Sequence, residues 1–167
     1  NPNVTWWNQT AGPWVSYINR CQALLQSGLF AADVIYYNGD GAPNLVDVKH
    51  VPTGLGKGYD YDVCNEEVLL TRFSVKDGRI VLPDGMSYRM LVLPNTTKMP
   101  APVAQKLREL VQAGATVIGP KPLTDPGLKN HPQCDDEVRK IGEELWGGKV
   151  GKGWVFDGKT EREVLLA

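Results

Sequence analysis

The stretch of sequence that decides the fold is Ala101–Pro122, APVAQKLRELVQAGATVIGPKP. Four apolar residues recur there at helical spacing and form one stripe along a predicted helix: Val103, Leu107, Leu110 and Val111. Gly114 is placed to end that helix, because glycine adopts the left-handed backbone conformation without a Cβ clash. Residues 115–118 form a short apolar run rich in β-branched side chains, which predicts a buried strand.

A second apolar run, Tyr88–Leu93, lies just upstream of this stretch and predicts another strand. A strand, a helix and a strand within about thirty residues form a βαβ unit, which requires a parallel sheet and a right-handed crossover. The sequence therefore predicts an α/β fold built on a parallel sheet.

Further helices are predicted over residues 14–28, 63–70 and 135–146, where apolar side chains return every three or four positions. A strand is predicted over residues 30–37, with Val34 and Ile35 at its centre. These elements extend the sheet and supply helices to cover it.

Residues 71–82 predict a hairpin, because Asp77-Gly78 is a strong turn signal between two short strands. Residues 42–62 are rich in Gly and Pro and predict a long irregular connection, with Asp62 as a candidate cap for the following helix. The late segments 153–156 and 163–166 are strand-like or helical, and the sequence assigns them no partner.

The composition excludes several classes of partner. The chain has 18 Lys+Arg against 19 Asp+Glu, so its charge gives no reason to expect nucleic acid or an anionic membrane. No apolar run is long enough to span a bilayer, and the first residues lack the pattern of a signal peptide. The start at Asn1, without an initiator Met, predicts a chain cut from a longer protein.

The cysteines do not predict a metal site or a disulfide framework. Cys21, Cys64 and Cys134 are an odd number, lie far apart and form no CxxC motif. Buried free thiols are the expectation, with no metal and no cofactor in this chain.

The first fifteen residues are a Trp-rich segment that contains Trp6, Trp7 and Trp14. We interpret residues 1–15 as a linker that packs on the domain or on a missing preceding domain, and residues 16–167 as a single α/β domain. The alternative is that the three indoles form a platform for a sugar ring.

The loop after the strand of residues 30–37 is the first place to look for a site, because ligands collect at the carboxyl ends of parallel strands. It carries no GxGxxG or GxxxxGK[ST] phosphate motif, and a solvated turn is the competing interpretation. The candidate sugar or domain contacts in and near it are Tyr36, Tyr37, Asp40, Asn44, Tyr59 and Asp60.

Tests for catalytic motifs give no complete active site. The turn after residues 115–118 reads Gly119-Pro120-Lys121-Pro122, with no Ser or Cys for a nucleophile elbow. A cysteine hydrolase that uses Cys64 or Cys134 with His131 remains an alternative, only because the sequence contains the residue types that such an enzyme needs. Acids are numerous, Glu66 and Glu67 among them, but nothing in the sequence pairs two of them across a glycosidic bond.

An ordered set of motifs nevertheless resembles a known family. The set comprises Thr5-Trp6-Trp7, Tyr17–Gln22, Leu24–Gly28, Ala32–Tyr37, Gly58–Asp62, Ser74–Gly78 and Leu82–Tyr88. In this order it is similar to the region after the catalytic barrel in bacterial α-L-rhamnosidases of glycoside hydrolase family 106.

The resemblance implies a flavodoxin-like fold of the class I glutamine-amidotransferase type, with helices on both faces of the sheet, related to the trimerisation domain of many β-galactosidases. It also implies a periplasmic or secreted parent enzyme that cleaves terminal α-L-rhamnosides with glutamates and a calcium ion in a barrel. A barrel needs about 250 residues, so this chain cannot contain it.

The leading hypothesis is therefore a non-catalytic accessory domain of an α-L-rhamnosidase-like enzyme, which supports the preceding catalytic barrel, its sugar site or its assembly. The alternatives are a sugar-binding module that uses the N-terminal Trp cluster, and a small cysteine-dependent amidotransferase-like hydrolase.

Overall fold

The computed structural model describes residues 11–42, 44 and 52–167. Its helices are α1 Ala11–Leu25, α2 Glu66–Arg72, α3 Ala101–Ala113, α4 Gln133–Leu145 and α5 Glu161–Leu165. Its strands are β1 Val34–Tyr37, β2 Tyr61–Cys64, β3 Ser74–Lys76, β4 Arg79–Val81, β5 Ser87–Tyr88, β6 Met90–Val92, β7 Thr116–Ile118, β8 Gly148–Val150 and β9 Gly153–Phe156. Among the described residues, no helix combines the length and apolar character that crossing a membrane requires.

The chain divides into two compact units, residues 1–30 and 31–167. The described part of the first unit, residues 11–30, contains helix α1, whose apolar residues are largely exposed: Leu24 is 76% and Leu25 82% accessible. The rings of Trp14 and Tyr17 lie side by side, with centroids 5.9 Å apart. The predicted boundary after residue 15 falls within this helix, and a division there stays a prediction.

The second unit is built on a six-stranded sheet in the order β2-β1-β6-β7-β9-β8. All neighbouring pairs are parallel except β8 and β9. The predicted βαβ unit is confirmed as β6–α3–β7, and Gly114 ends α3 with φ 124°. The α/β fold with a mostly parallel sheet is therefore confirmed.

The two faces of this sheet are covered differently. The helical face is the side packed by α2, α3 and α4, and its core includes Leu69, Leu107 and Ile141. The latch face is the opposite side, where Leu55 and Leu165 pack on Val34, Met90 and Val92. Both faces carry a helix; among the described residues, the latch face is covered by the five-residue α5 and by residues 52–59.

The contact between β9 and α3 depends on a glycine. A Cβ on Gly153 would lie 2.3 Å from the Val111 carbonyl oxygen and 2.4 Å from that of Ala115. These distances are closer than any real side chain permits, so only glycine lets β9 lie against the end of α3. Val155 can then enter the helical-face core.

The helix predicted over residues 63–70 is wrong at its start. Tyr61–Cys64 is strand β2, and Asn65 caps the helix that begins at Glu66 by accepting a hydrogen bond from the Val68 amide at 3.0 Å. Asp62 is not the cap. It lies within β2 and accepts a 2.8 Å hydrogen bond from the Tyr88 hydroxyl.

The predicted hairpin is confirmed as β3 and β4, joined by Asp77 and Gly78, both with positive φ as a type I′ turn requires. The single strand predicted over Tyr88–Leu93 is divided instead. Ser87–Tyr88 pairs with β4 in a small antiparallel sheet, and Met90–Val92 joins the large sheet, with Arg89 between them. Of the late segments, residues 153–156 form strand β9 and residues 161–165 form helix α5.

Candidate functional site at the switch of strand order

A cleft opens where the strand order of the large sheet changes direction. After β1 the chain moves to β2 on one side, whereas after β6 it moves to β7 on the other. The loops that follow β1 and β6 therefore diverge, and such a crevice is the usual ligand site of open α/β sheets. This switch-point cleft has a volume of about 280 Å³ and is lined by Asn38, Gly39, Asp40, Gly41, Asn44, Pro94, Thr96, Lys98 and Pro126.

The loop after β1 is held by its own polar side chains. The Tyr37 hydroxyl donates a 2.7 Å hydrogen bond to Asp40 Oδ1. The Asn44 amide donates to the carbonyl oxygens of Asn38 at 3.0 Å and Gly39 at 2.7 Å. Gly39 has φ 76°, which supplies the turn, and a Cβ there would lie 3.1 Å from Pro94. The cleft wall is thus fixed without a contribution from a ligand.

Glu66 joins this group from the first turn of α2. Burial, the charge of Asp40 together with a hydrogen bond to it, and the charge of Asp125 raise the pKa of Glu66 above its ordinary value. Burial and the hydrogen bond to Asp40 likewise raise the pKa of Tyr37.

Asp125, in the loop after β7 and next in sequence to the lining residue Pro126, holds two helices beside the cleft. Its Oδ2 accepts from the Ala101 amide at 2.7 Å, which satisfies the first turn of α3 in place of a side-chain cap from Pro100. Its own amide donates to Asp135 Oδ1 at 2.8 Å, in the first turn of α4. The starts of α3 and α4 are therefore tied to the cleft.

Only some of the predicted contact residues come together. Tyr37, Asp40 and Asn44 meet at the switch-point cleft, as described above. Tyr36 points to the latch face, where its hydroxyl donates a 2.9 Å hydrogen bond to Glu161.

The other predicted contacts lie elsewhere. Tyr59 and Asp60 precede β2, at the opposite end of the strands, where the Asp60 carbonyl accepts from the Asp33 amide at 3.0 Å. Trp14 belongs to the unit of residues 1–30, and Trp6 and Trp7 lie outside the described residues. A single site made from all the predicted aromatic and acidic residues is therefore not what the fold assembles.

Sequence reasoning missed four members of the group, namely Glu66, Thr96, Lys98 and Asp125. Thr96 and Lys98 follow the strand of the βαβ unit directly, so their position was available from the topology. Glu66 was a candidate by residue type only, because its place depends on β2, the strand that the sequence did not reveal.

The cysteines do not supply a nucleophile to this cleft. Burial and the charge of Asp62 raise the pKa of Cys64 to about 12, so its thiol stays protonated at neutral pH. Cys134 lies elsewhere, in the first turn of α4, and is buried. One polar atom each of His131, Cys134 and Asp135 lies within 4.8 Å of the other two, and His131 Nδ1 is 3.9 Å from Asp135 Oδ2.

The arrangement of acids in the cleft suits binding better than hydrolysis. The carboxyl groups of a glycosidase stand about 5 to 9.5 Å apart, so that a scissile bond or a water fits between them. Asp40 and Glu66 interact directly instead, since the charge of Asp40 helps to raise the pKa of Glu66. The polar atoms left to a ligand are amides, a hydroxyl and an ammonium group, which fit a hydroxyl-rich molecule.

Comparison with known proteins agrees with the predicted resemblance. The family model Glyco_hydro_106, described as alpha-L-rhamnosidase, matches residues 1–167. A protein of Formosa agariphila that bears the provisional name beta-glucuronidase is 37% identical over 147 residues, which are 86% of this chain and 12% of that protein.

A solved rhamnosidase structure from Novosphingobium sp. PP1Y superimposes with a TM-score of 0.79 and 30% identity, over 96% of this chain and 16% of that one. The chain thus spans about one seventh of the length of these relatives. With a family model that matches from the first residue to the last, the chain belongs to the alpha-L-rhamnosidase family Glyco_hydro_106.

Proposed function

We propose that this chain is a non-catalytic α/β domain of an α-L-rhamnosidase-like glycoside hydrolase. In the parent protein it supports the catalytic barrel and lines one wall of the sugar site through the switch-point cleft. The observation that carries the proposal is the family match over residues 1–167 in a chain that spans about one seventh of its relatives' length, because a catalytic barrel needs about 250 residues.

The strand order supports an amidotransferase-like, flavodoxin-like ancestry. If only the parallel strands are numbered along the chain, the sheet has the order 2-1-3-4-5, which is the order of flavodoxin-like folds. The carboxyl end of β2 carries Cys64, but its raised pKa and burial are unsuited to nucleophilic attack. The fold therefore serves here as a scaffold, and the rival proposal of a cysteine hydrolase based on Cys64 loses its support.

Activity assays test this proposal in two steps. The isolated chain, checked for a folded near-ultraviolet circular dichroism spectrum, is expected to release no product from an aryl α-L-rhamnoside. In the full-length enzyme, Asp40→Asn and Glu66→Gln are expected to change KM and to leave kcat within about threefold, since loss of a general acid or base costs about 10²- to 10⁴-fold.

Glu67→Gln serves as the matched control, because this neighbouring acid is exposed, whereas Glu66 interacts with Asp40 of the cleft. Hydrolysis by the isolated chain at the rate of the full-length enzyme would overturn the proposal. A loss of kcat of a hundredfold or more in Asp40→Asn, with the fold intact, would also overturn it.

A further inference from the structure

Strand β9 exposes a pair of aromatic rings that the switch-point cleft does not use. Trp154 and Phe156 are two positions apart on one strand, so their side chains leave the same face of the sheet. Their ring centroids are 5.9 Å apart and their planes differ by 3°. Trp154 is 43% exposed, a large fraction for an indole on a sheet. The two rings of this β9 ring pair are therefore stacked on each other, and Trp154 is the more exposed member.

The ring pair extends the latch face beyond its cover. Phe156 is opposite Ile118 of β7 and packs at the margin of the latch-face core. Leu55 and Leu165 belong to the same core and cover the strands β1 and β6. Trp154 is opposite Thr116 and is not a member of that core. The described residues of the second unit therefore leave its ring open.

Two ammonium groups flank the rings. Lys149 of β8 is directly opposite Trp154, and its Nζ lies 5.7 Å from the centroid of that ring. Lys159 Nζ lies 4.8 Å from the centroid of Phe156. Among the described residues, neither lysine belongs to an ion pair with a carboxylate.

Lys159 interacts weakly with the Glu163 carboxylate. The Lys159 charge contributes to the lowered pKa of Glu163, but hydrogen bonds from Thr160 are the larger cause and Glu163 is exposed. Cation–π contacts at exposed sites are weak, and a lysine stem is flexible, so both ammonium groups can move to meet a ligand. The surface thus offers two available positive charges on an apolar base.

We propose that the β9 ring pair, with Lys149 and Lys159, binds an anionic glycan. The exposed part of the Trp154 ring offers an apolar surface for the C–H face of one pyranose, and the stacked Phe156 ring holds it in place. Carboxylate or sulfate groups on the glycan pair with the ammonium groups. A neutral glycan would leave the lysines unused, and a simple anion would leave the rings unused.

A groove continues from this surface around the carboxyl end of β9. It has a volume of about 430 Å³, and Phe156, Lys121, Trp146 and Asp157 are among its lining residues. Phe156 thus belongs to both the ring pair and the lining of the groove. In that lining Lys121 adds a third cation to Lys149 and Lys159. A glycan chain longer than two sugars can follow this path.

Isothermal titration calorimetry of the 167-residue chain at low salt tests the inference. The probes are a homogalacturonan hexasaccharide, the same hexasaccharide after carboxyl reduction, and a sulfated galactan hexasaccharide. We expect at least one of the charged probes to bind, with binding weakened by added salt, and the carboxyl-reduced probe to bind at least about tenfold more weakly. The stronger charged probe identifies carboxylate or sulfate as the preferred group.

Variants assign the binding to this surface. Trp154→Ala is expected to weaken binding about tenfold through lost ring contact. The double variant Lys149→Gln with Lys159→Gln is expected to weaken it by a similar factor and to reduce its salt dependence. Phe30→Ala, which removes an exposed aromatic ring outside β9, is the matched control and should bind as the parent chain does.

Three results would overturn the inference. The first is that neither charged probe, at about 10 mM, gives heat with the chain. The second is equal binding of the carboxyl-reduced probe, and the third is unchanged binding by both the Trp154 and the lysine variants. If Trp154→Ala does not fold, the lysine variant, which changes only exposed side chains, decides alone. The result is independent of the rhamnoside assay, since a domain without any role in rhamnoside hydrolysis can still bind an anionic glycan here.

Discussion

The two faces of the large sheet bury apolar side chains by different means. On the helical face, α3 and α4 are each thirteen residues long and pack against each other and the strands. On the latch face, α5 has five residues and covers the sheet together with residues 52–59. The first face depends on apolar packing along whole helices, whereas the second depends on a few polar contacts that hold a short helix in place.

Those polar contacts are specific. The capping box between Thr160 and Glu163 forms the start of α5. Glu161 accepts the Tyr36 hydroxyl at 2.9 Å, and Arg162 donates to the carbonyl oxygens of Gly54 at 3.0 Å and Lys57 at 2.9 Å. A helix this short does not persist alone in water, so the latch face is stable only while these contacts hold. The difference suggests that the helical face sets global stability and the latch face opens locally.

The largest expected effect comes from the same substitution on each face. Leu107 on the helical face is 1% exposed and Leu55 on the latch face is 0% exposed. We expect Leu107→Ala to lower the free energy of unfolding by about 4 kcal/mol and Leu55→Ala by about 2 kcal/mol, because a loop can close over a cavity better than packed helices can. Urea denaturation followed by circular dichroism measures both. Equal losses would mean that the two faces are equally rigid.

A smaller effect is expected from the latch, by which we mean α5 and residues 52–59 on the latch face. Tyr36→Phe removes the hydroxyl that donates to Glu161 and should destabilise the latch by about 1 kcal/mol. We expect trypsin to cleave after Lys57 about fivefold faster, because cleavage follows the open population when opening is fast. Tyr17→Phe on α1 is the control. An unchanged cleavage rate at Lys57 would show that this hydrogen bond does not hold the latch.

The smallest expected effect concerns Glu66, which lies beside the switch-point cleft at one edge of the sheet, and the pH dependence of stability. Because the pKa of Glu66 is raised above its ordinary value of 4.5, the stability it contributes is complete below about pH 4.5 and is lost as pH rises through the folded-state pKa. Asp40 and Asp125 are the charges that face it. The denaturation midpoint of the parent chain should therefore fall between pH 4.5 and pH 7 relative to that of Glu66→Gln.

Glu67→Gln, one position along the same helix turn, should follow the parent chain over this range. Parallel curves for the parent and Glu66→Gln would show that the carboxyl pair contributes nothing to the pH dependence. The change is read as a difference between variants at each pH, so that the other titrating groups cancel.

The sequence predicted the βαβ unit because its signals are local. The apolar stripe of α3, the helix stop at Gly114 and the apolar run after it each follow from a few neighbouring residues. Strand β2 was missed because YDVC is short, half polar and followed at once by a helix pattern. Its identity as a strand comes from pairing with β1, which no local pattern records.

The sequence predicted the location of the candidate site but only some of the residues that form it. The loop after β1 was the expected location, and Tyr37, Asp40 and Asn44 do meet there. Tyr36 could have been excluded, because adjacent residues of a strand point to opposite faces. Glu66 could not have been included without β2, since that strand alone brings the start of α2 beside the loop.

The junction at Arg89 has a consequence for how this protein tolerates insertions. One residue separates β5 of the small sheet from β6 of the large one, and it is fixed by its amide to the Asp33 carbonyl at 2.7 Å and its guanidinium to the Leu165 carbonyl at 2.9 Å. The number of residues between β5 and β6 is constrained here, because inserting one residue would turn every β6 side chain to the opposite face of the sheet. We infer that this point admits substitutions but not single-residue changes in length.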